Sequence, residues 1–205
     1  MTRLPSPESS TGEPASQTLR AGALTLGSFV AVFWGLEIVD QVLFRHSGTL
    51  ASGLDLYGIL PRHSSGLIGI LLAPFLHGGF AHVAANTVPF VLLGALVMAY
   101  GLRVFWQVTI LVALIAGAGT WLFGSESYHI GASSLIFGYF GFLLAAGIFE
   151  HSLKSILLAV IVGVGYGGII WGVLPGQPGI SWEGHLFGFL GGVVAAKKLG
   201  RRPAQ

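Results

Sequence analysis

The chain has 205 residues, of which 53% are hydrophobic and only 9% are charged, and its formal net charge is +2. Soluble domains carry about 25% charged residues, so this composition excludes an ordinary soluble fold and indicates a membrane protein. Cysteine is absent, which excludes disulfides and thiolate chemistry. The basic residues stand at segment ends rather than in a patch, so no nucleic-acid partner is expected.

The chain begins with a polar stretch, residues 1–20, rich in proline, serine, threonine and glutamate. We expect a disordered cytoplasmic tail there, and not a signal peptide, because the apolar run starts only after it. Six apolar segments follow, each close to the ~20 residues that a spanning helix needs. They cover about 21–44, 82–100, 104–123, 132–149, 155–174 and 180–196. The sequence therefore predicts an all-α, six-helix membrane domain over 21–198 and a basic tail over 199–205.

The connection between the first two segments, about 45–81, is long and contains an apolar piece of its own, GLIGILLAPF at 66–75. That piece is too short to span a bilayer, so we expect a re-entrant or interfacial element.

The lysines and arginines predict the orientation. If the chain spans the membrane six times, eight of these basic residues lie on the side that holds both termini, and two lie on the opposite side. Cytoplasmic loops carry such an excess, so both termini should be cytoplasmic, in a multi-pass protein of the cell membrane. The eight are Arg3, Arg20, Arg103, Lys154, Lys197, Lys198, Arg201 and Arg202, and the two are Arg45 and Arg62.

Polar residues inside apolar segments are costly and mark candidate functional sites. In the second segment, HVAAN puts His82 and Asn86 four residues apart, on one helical face, where both can donate hydrogen bonds to one point. Their structural alternative is a pair of interhelical tethers. His77 belongs to the loop or the first turn, where a structural role is equally compatible with the pattern.

The fourth segment opens with HIGASSLIFGYFG, residues 129–141. Ser133 can be a helix cap, a hydroxyl bonded to its own helix, or a nucleophile whose backbone N–H points at the group it attacks. A serine nucleophile needs a base within hydrogen-bond reach. The second and fourth segments present their polar residues at the same, outer end.

The sixth segment supplies the candidate base, His185, in GHLFGFLGG. Its glycines recur every four residues, and such small faces allow two helix backbones to approach closely. Glu183 lies two residues earlier, on another helical face, and we expect it at the water interface. The pattern therefore predicts a Ser–His dyad rather than a triad.

Taken together, these residues resemble the rhomboid family of intramembrane serine proteases over about residues 22–198. The family pattern of two histidines, an asparagine, a Gly-x-Ser-Gly motif and a histidine with a small-residue repeat is matched by HGGFAHVAAN, GASS and GHLFG. The short stretch YGILPR, residues 57–62, is also similar. Two positions depart from the pattern: Ser134 replaces the last motif glycine, and Phe137 stands where a tyrosine is common. The matching residues are His77, His82, Asn86, Gly131, Ala132, Ser133, His185, Gly188 and Gly192.

The resemblance implies a serine-type endopeptidase that cleaves transmembrane segments of other membrane proteins near the extracytoplasmic face. Ser133 would attack and His185 would carry the proton, while His82, Asn86 and the Ser133 N–H would stabilise the oxyanion. Gly131, His77, Gly188 and Phe137 would support the site. No cofactor or metal is implied, and the oligomeric state is left open.

Other functions fit less well. A rhomboid-like protein that only binds membrane-protein clients is the nearest rival, with Ser134 as its support. A metalloprotease is disfavoured because no HExxH occurs. A haem-binding bundle would show a visible absorption spectrum, and a transporter would show repeated halves and broken helices, which the sequence lacks.

Overall fold

The computed structural model of the chain describes residues 15–44 and 53–199, and these residues are helical apart from turns. Within them no strand forms, and one isolated antiparallel bridge joins Ile59 to His129. Six helices form the body of the molecule. They are α1 (Ala15–Leu43), α2 (Phe80–Met98), α3 (Leu102–Phe123), α4 (Ser133–Phe149), α5 (Leu153–Tyr166) and α6 (Trp182–Leu199).

Four of these helices are long and apolar enough to cross a membrane: α1, α2, α3, and α5 together with the 3-10 helix Gly167–Val173. The predicted all-α membrane fold is confirmed in this form. The count of six spans stays a prediction, because α4 has only 17 residues and α6 carries Glu183 and His185. The cytoplasmic location of the termini also stays a prediction.

The helix bounds agree with the predicted segments to within three residues except at the N-terminus of α1 and at the C-terminus of α5, where the α-helix ends at Tyr166 and a 3-10 helix continues to Val173. Helix α1 begins at Ala15, six residues before the predicted start, because residues 15–20 contain neither glycine nor proline to interrupt the helix. The rest of the predicted tails, residues 1–14 and 200–205, lies outside the described residues.

The described part of the connection from α1 to α2 contains four short helical pieces, Gly53–Tyr57, Ser64–Leu67, Gly69–Leu72 and Ala73–Phe75. The apolar piece at 66–75 is therefore broken and too short to span, as predicted. Residues 45–52 of the connection lie outside the described residues.

Helix α4 forms the centre of the molecule. Every residue from Leu135 to Leu143 is buried, which explains why this helix is apolar on all sides. It packs against α2, α3, α5 and, most extensively, α6. The contact with α6 is made by backbone: a methyl group on Gly188 would overlap the carbonyl oxygen of Ser134, and one on Gly192 would overlap that of Gly138.

Helix α5 lies at the periphery. It packs on α4, where Gly147 faces Ala159, but most of its apolar side chains are exposed, with Val164 84% exposed. The 3-10 helix that continues it, Gly167–Val173, contacts α6. This segment therefore reaches from the edge of the molecule to the helix that carries His185.

Candidate active site

Ser133 occupies the first position of α4, and Ala132 rather than Ser133 occupies the capping position. The turn before it needs glycine, because Gly131 has φ +115°. The Gly131 N–H donates to the carbonyl oxygen of Ala73 over 2.9 Å, which fixes the turn to the α1–α2 connection. No other described residue forms a hydrogen bond with the Ser133 hydroxyl, so neither structural alternative for this serine applies.

His77 lies just before α2 and supports this turn. It is 2% exposed, and its Nε2 accepts the Ala132 N–H over 3.4 Å. Burial, with a smaller contribution from the neighbouring His82, lowers the pKa of His77 to about 4. The imidazole is therefore neutral at pH 7, as an acceptor must be.

His82 is held in one tautomer. Its Nδ1 accepts the N–H of Gly78 over 3.1 Å, so in the neutral ring Nε2 carries the proton and is a donor. A methyl group on Gly131 would lie 2.9 Å from this Nε2 and 3.6 Å from Ser133 Oγ, so both side chains lie beside this glycine. Asn86 is buried one turn later, and its Nδ2 donates to the His82 carbonyl oxygen over 3.0 Å.

His185 is held in the complementary tautomer. Its Nδ1 lies 2.9 Å from the carbonyl oxygen of Gly172, and because a carbonyl only accepts, Nδ1 carries the proton and Nε2 keeps a lone pair. The ring of Phe137 stacks on the imidazole with centroids 4.1 Å apart and planes 9° apart. Phe137 lies one turn after Ser133, so this stack ties His185 to the nucleophile-bearing face of α4.

Four of the predicted residues open onto one cavity of about 1140 Å³: His82, Asn86, Ser133 and His185. No hydrogen bond joins Ser133 Oγ to His185 Nε2 within the described part of the chain. In ligand-free sites such bonds are often long and tighten only when substrate binds. Polar groups from the loop before α4 and from the segment before α6 complete the lining, among them Ser125, Ser127, Tyr128, Gln177 and Ser181.

Comparison with known proteins agrees with this arrangement. A model of the Rhomboid domain matches residues 64–202, more than half of the chain. The chain belongs to the rhomboid family. The uncharacterized protein Rv1337 of Mycobacterium tuberculosis is 40% identical over 200 residues, covering 91% of this chain and 80% of that protein. The uncharacterized protein ML1171 of Mycobacterium leprae is 39% identical over 208 residues, covering 94% and 80%. This rhomboid is accordingly an integral membrane protein.

The position at which this rhomboid departs from the Gly-x-Ser-Gly motif is not among the residues that line the large cavity. Ser134 lines an adjoining small pocket, whose lining also includes Ser133, His129 and Ser181. Its backbone carbonyl packs against Gly188 of α6. The added hydroxymethyl group is thus accommodated in the small pocket next to the nucleophile.

One prediction about this rhomboid is wrong. Glu183 was expected at the water interface, but it is 3% exposed, and its Oε1 accepts the N–H of Ser125 over 2.8 Å. The first turn of α6 packs against the loop before α4, so that the carboxylate supplies an acceptor to that loop. Helical spacing alone could not reveal this, because the contact is made across the bundle.

Sequence reasoning missed two further polar residues of this rhomboid, His129 and Ser181. They form a hydrogen bond of 2.6 Å, and both line the large cavity. Their signal in the sequence is positional: His129 precedes Ser133 by four residues, and Ser181 precedes His185 by four.

Proposed function

We propose that this rhomboid is a serine endopeptidase that cleaves peptide bonds of transmembrane segments by a Ser133–His185 dyad. The observation that carries the proposal is the pair of opposite tautomers at one cavity. His185 offers a lone pair on Nε2, as a general base must, and His82 offers an N–H on Nε2, as an oxyanion donor must. Rhomboids are generally intramembrane serine proteases, which agrees with this chemistry.

In the proposed reaction, Ser133 Oγ attacks the scissile carbonyl carbon while its proton passes to His185 Nε2. The carbonyl oxygen becomes an oxyanion that accepts hydrogen bonds from His82 Nε2, Asn86 Nδ2 and the Ser133 N–H. His185 then gives the proton to the leaving amine as the C–N bond breaks. Water from the cavity attacks the acyl-enzyme, with His185 again taking and returning a proton, and releases the carboxylate product and Ser133.

The substrates that we propose are transmembrane segments of other membrane proteins. A helical segment has to unwind locally before its carbonyl can reach Ser133, because helix hydrogen bonds otherwise occupy it. We further propose cleavage near the extracytoplasmic face of the cell membrane, with both termini of the chain in the cytoplasm, from the distribution of lysine and arginine.

A fluorophosphonate probe tests the nucleophile directly. We expect the purified native chain to be labelled at Ser133, because the probe reacts only with an activated serine hydroxyl. Ser133→Ala and His185→Ala should both remain unlabelled. Ser134→Ala is the matched control, since it removes a neighbouring hydroxyl that does not line the large cavity, and it should be labelled like the native chain.

The labelled position has to be mapped by peptide mass spectrometry, since Ser181 is the serine whose hydroxyl already contacts an imidazole. Label on Ser181 would contradict the assignment of Ser133. A folded native chain that takes no label would instead favour a rhomboid that binds membrane-protein clients without cleaving them.

Gly172 provides a second prediction. A methyl group there would lie 2.8 Å from Phe137 Cζ and 3.0 Å from His185 Nδ1, so Gly172→Ala has to displace the imidazole or the 3-10 helix. We expect kcat to fall about 10-fold to 10²-fold, since small misplacements of reacting groups have effects of this size. Gly168→Ala in the same 3-10 helix is the control, because its methyl group meets nothing within 4 Å. Equal activity of the two variants in a cleavage assay would contradict the orienting role of the Gly172 carbonyl.

A further inference from the structure

The two members of the proposed dyad lie on different segments of the chain. Ser133 follows the loop 124–132, and Ser181 ends the segment 174–181 that leads to His185. A side-chain hydrogen bond of 2.6 Å joins these segments, from the Ser181 hydroxyl to His129 Nδ1. It is made four residues before each dyad member.

The orientation of this bond follows from its neighbours. His129 Nε2 lies 3.0 Å from the carbonyl oxygen of Ser125, so Nε2 carries the proton and Nδ1 is left as an acceptor for the Ser181 hydroxyl. Ser181 Oγ in turn accepts the N–H of Gly184 over 3.3 Å, as a helix cap does. Both ring nitrogens of His129 are thus satisfied.

The imidazole itself is held in place by backbone. His129 is 5% exposed, and its N–H and carbonyl oxygen pair with the carbonyl oxygen and N–H of Ile59 over 2.9 and 3.0 Å. The His129–Ser181 hydrogen bond therefore connects the residue before α6 to the loop 124–132. At His129 this loop is also held by its backbone hydrogen bonds with Ile59. The Glu183–Ser125 contact adds a second connection, between the same loop and the first turn of α6.

We infer that the His129–Ser181 hydrogen bond positions the segment of Ser133 against the segment of His185 and so sets the geometry of the dyad. The inference rests on the proposed function, since it assumes that Ser133 and His185 react together. His129 and Ser181 are positioning residues in this scheme. Neither exchanges a proton with substrate.

The first test is kinetic. His129→Phe keeps the ring and removes both ring hydrogen bonds, and Ser181→Gly removes the hydroxyl while keeping a residue that helix caps tolerate. Each should lower kcat for a transmembrane substrate about 10-fold to 10²-fold and leave KM within about twofold, because the residues proposed to act on the scissile bond are all retained. His129→Asn should recover part of the loss, since its Oδ1 can accept from Ser181 where Nδ1 did.

The double variant His129→Phe/Ser181→Gly tests whether the two single variants lower kcat through loss of the same hydrogen bond or through two unrelated structural changes. If the bond is the cause, the double variant is no slower than the slower single variant. Losses that multiply, or single variants that keep kcat within about twofold, would overturn the inference. Should His129→Phe fail to fold, Ser181→Gly and His129→Asn carry the same comparison.

The second test does not depend on activity. The chain has no cysteine, so spin labels can be attached to Ser127→Cys and Gln177→Cys, two exposed positions on the two segments. The distance distribution between the labels should be narrow in the otherwise native chain and broader after His129→Phe or Ser181→Gly. An unchanged distribution would overturn the positioning role. If the native chain proves inert, broadening shows that the link exists while the proposed function fails, so the two failures can be told apart.

Discussion

Replacement of Ser133 by alanine is expected to lower the rate of transmembrane substrate cleavage at least about 10³-fold, because it removes the hydroxyl that we propose forms the acyl-enzyme. The hydroxyl makes no structural hydrogen bond with another described residue, so its removal should leave the melting temperature nearly unchanged. Cleavage of a fluorogenic or tagged transmembrane segment, in detergent and in liposomes, gives the rate.

Ser134→Ala is the matched control for this experiment. It removes a hydroxyl from the adjacent position, which does not line the large cavity, and should retain activity within a few-fold. Ser134→Gly restores the family motif and serves as a second control. Cleavage by Ser133→Ala at the native rate would end the nucleophile assignment, whatever the fluorophosphonate probe reports.

Replacement of His82 by alanine is expected to lower kcat about 10²-fold to 10³-fold, the usual loss when one oxyanion donor is removed. The prediction follows from the tautomer of His82. Its Nδ1 accepts the Gly78 N–H, so Nε2 carries the proton and can donate a hydrogen bond beside Gly131, next to Ser133. KM should change little, because the donor acts mainly on charge that develops in the transition state.

His82→Gln distinguishes this role from that of a base. A glutamine amide can donate a hydrogen bond from nearly the same place but cannot take up a proton at neutral pH, so it should retain more activity than alanine. His63→Ala, an exposed histidine in the α1–α2 connection, is the control and should behave as native. A glutamine variant as inactive as the alanine variant would favour proton transfer by His82 instead.

Much of the fold could be predicted because it depends on short-range patterns. Apolar length predicted the bounds of the six helices to within three residues apart from the start of α1 and the end of α5, and the glycines of α6 correctly indicated a close contact with α4. The start of α1 was missed because the polar residues 15–20 are compatible with either a tail or a helix, and composition alone favoured the tail.

The grouping of the candidate residues could be predicted, but their hydrogen bonds could not. His82, Asn86, Ser133 and His185 do line one cavity, as their helical positions indicated. The groups that fix the two imidazoles are the Gly78 N–H and the Gly172 carbonyl, and backbone groups leave no mark on residue type. The burial of Glu183 and the His129–Ser181 bond depend on contacts across the bundle, for which a single sequence carries no spacing rule.

The hydrogen bond from His185 to Gly172 has a consequence for mutagenesis. In a triad, the group that orients the histidine is a carboxylate that substitution can delete, whereas here it is a main-chain oxygen that every amino acid possesses. An alanine scan can only push this oxygen aside by bulk and can never remove it. Such a scan would therefore report two essential side chains and overlook the atom that aims one of them; replacing the amide by an ester, which weakens the carbonyl as an acceptor, would expose it.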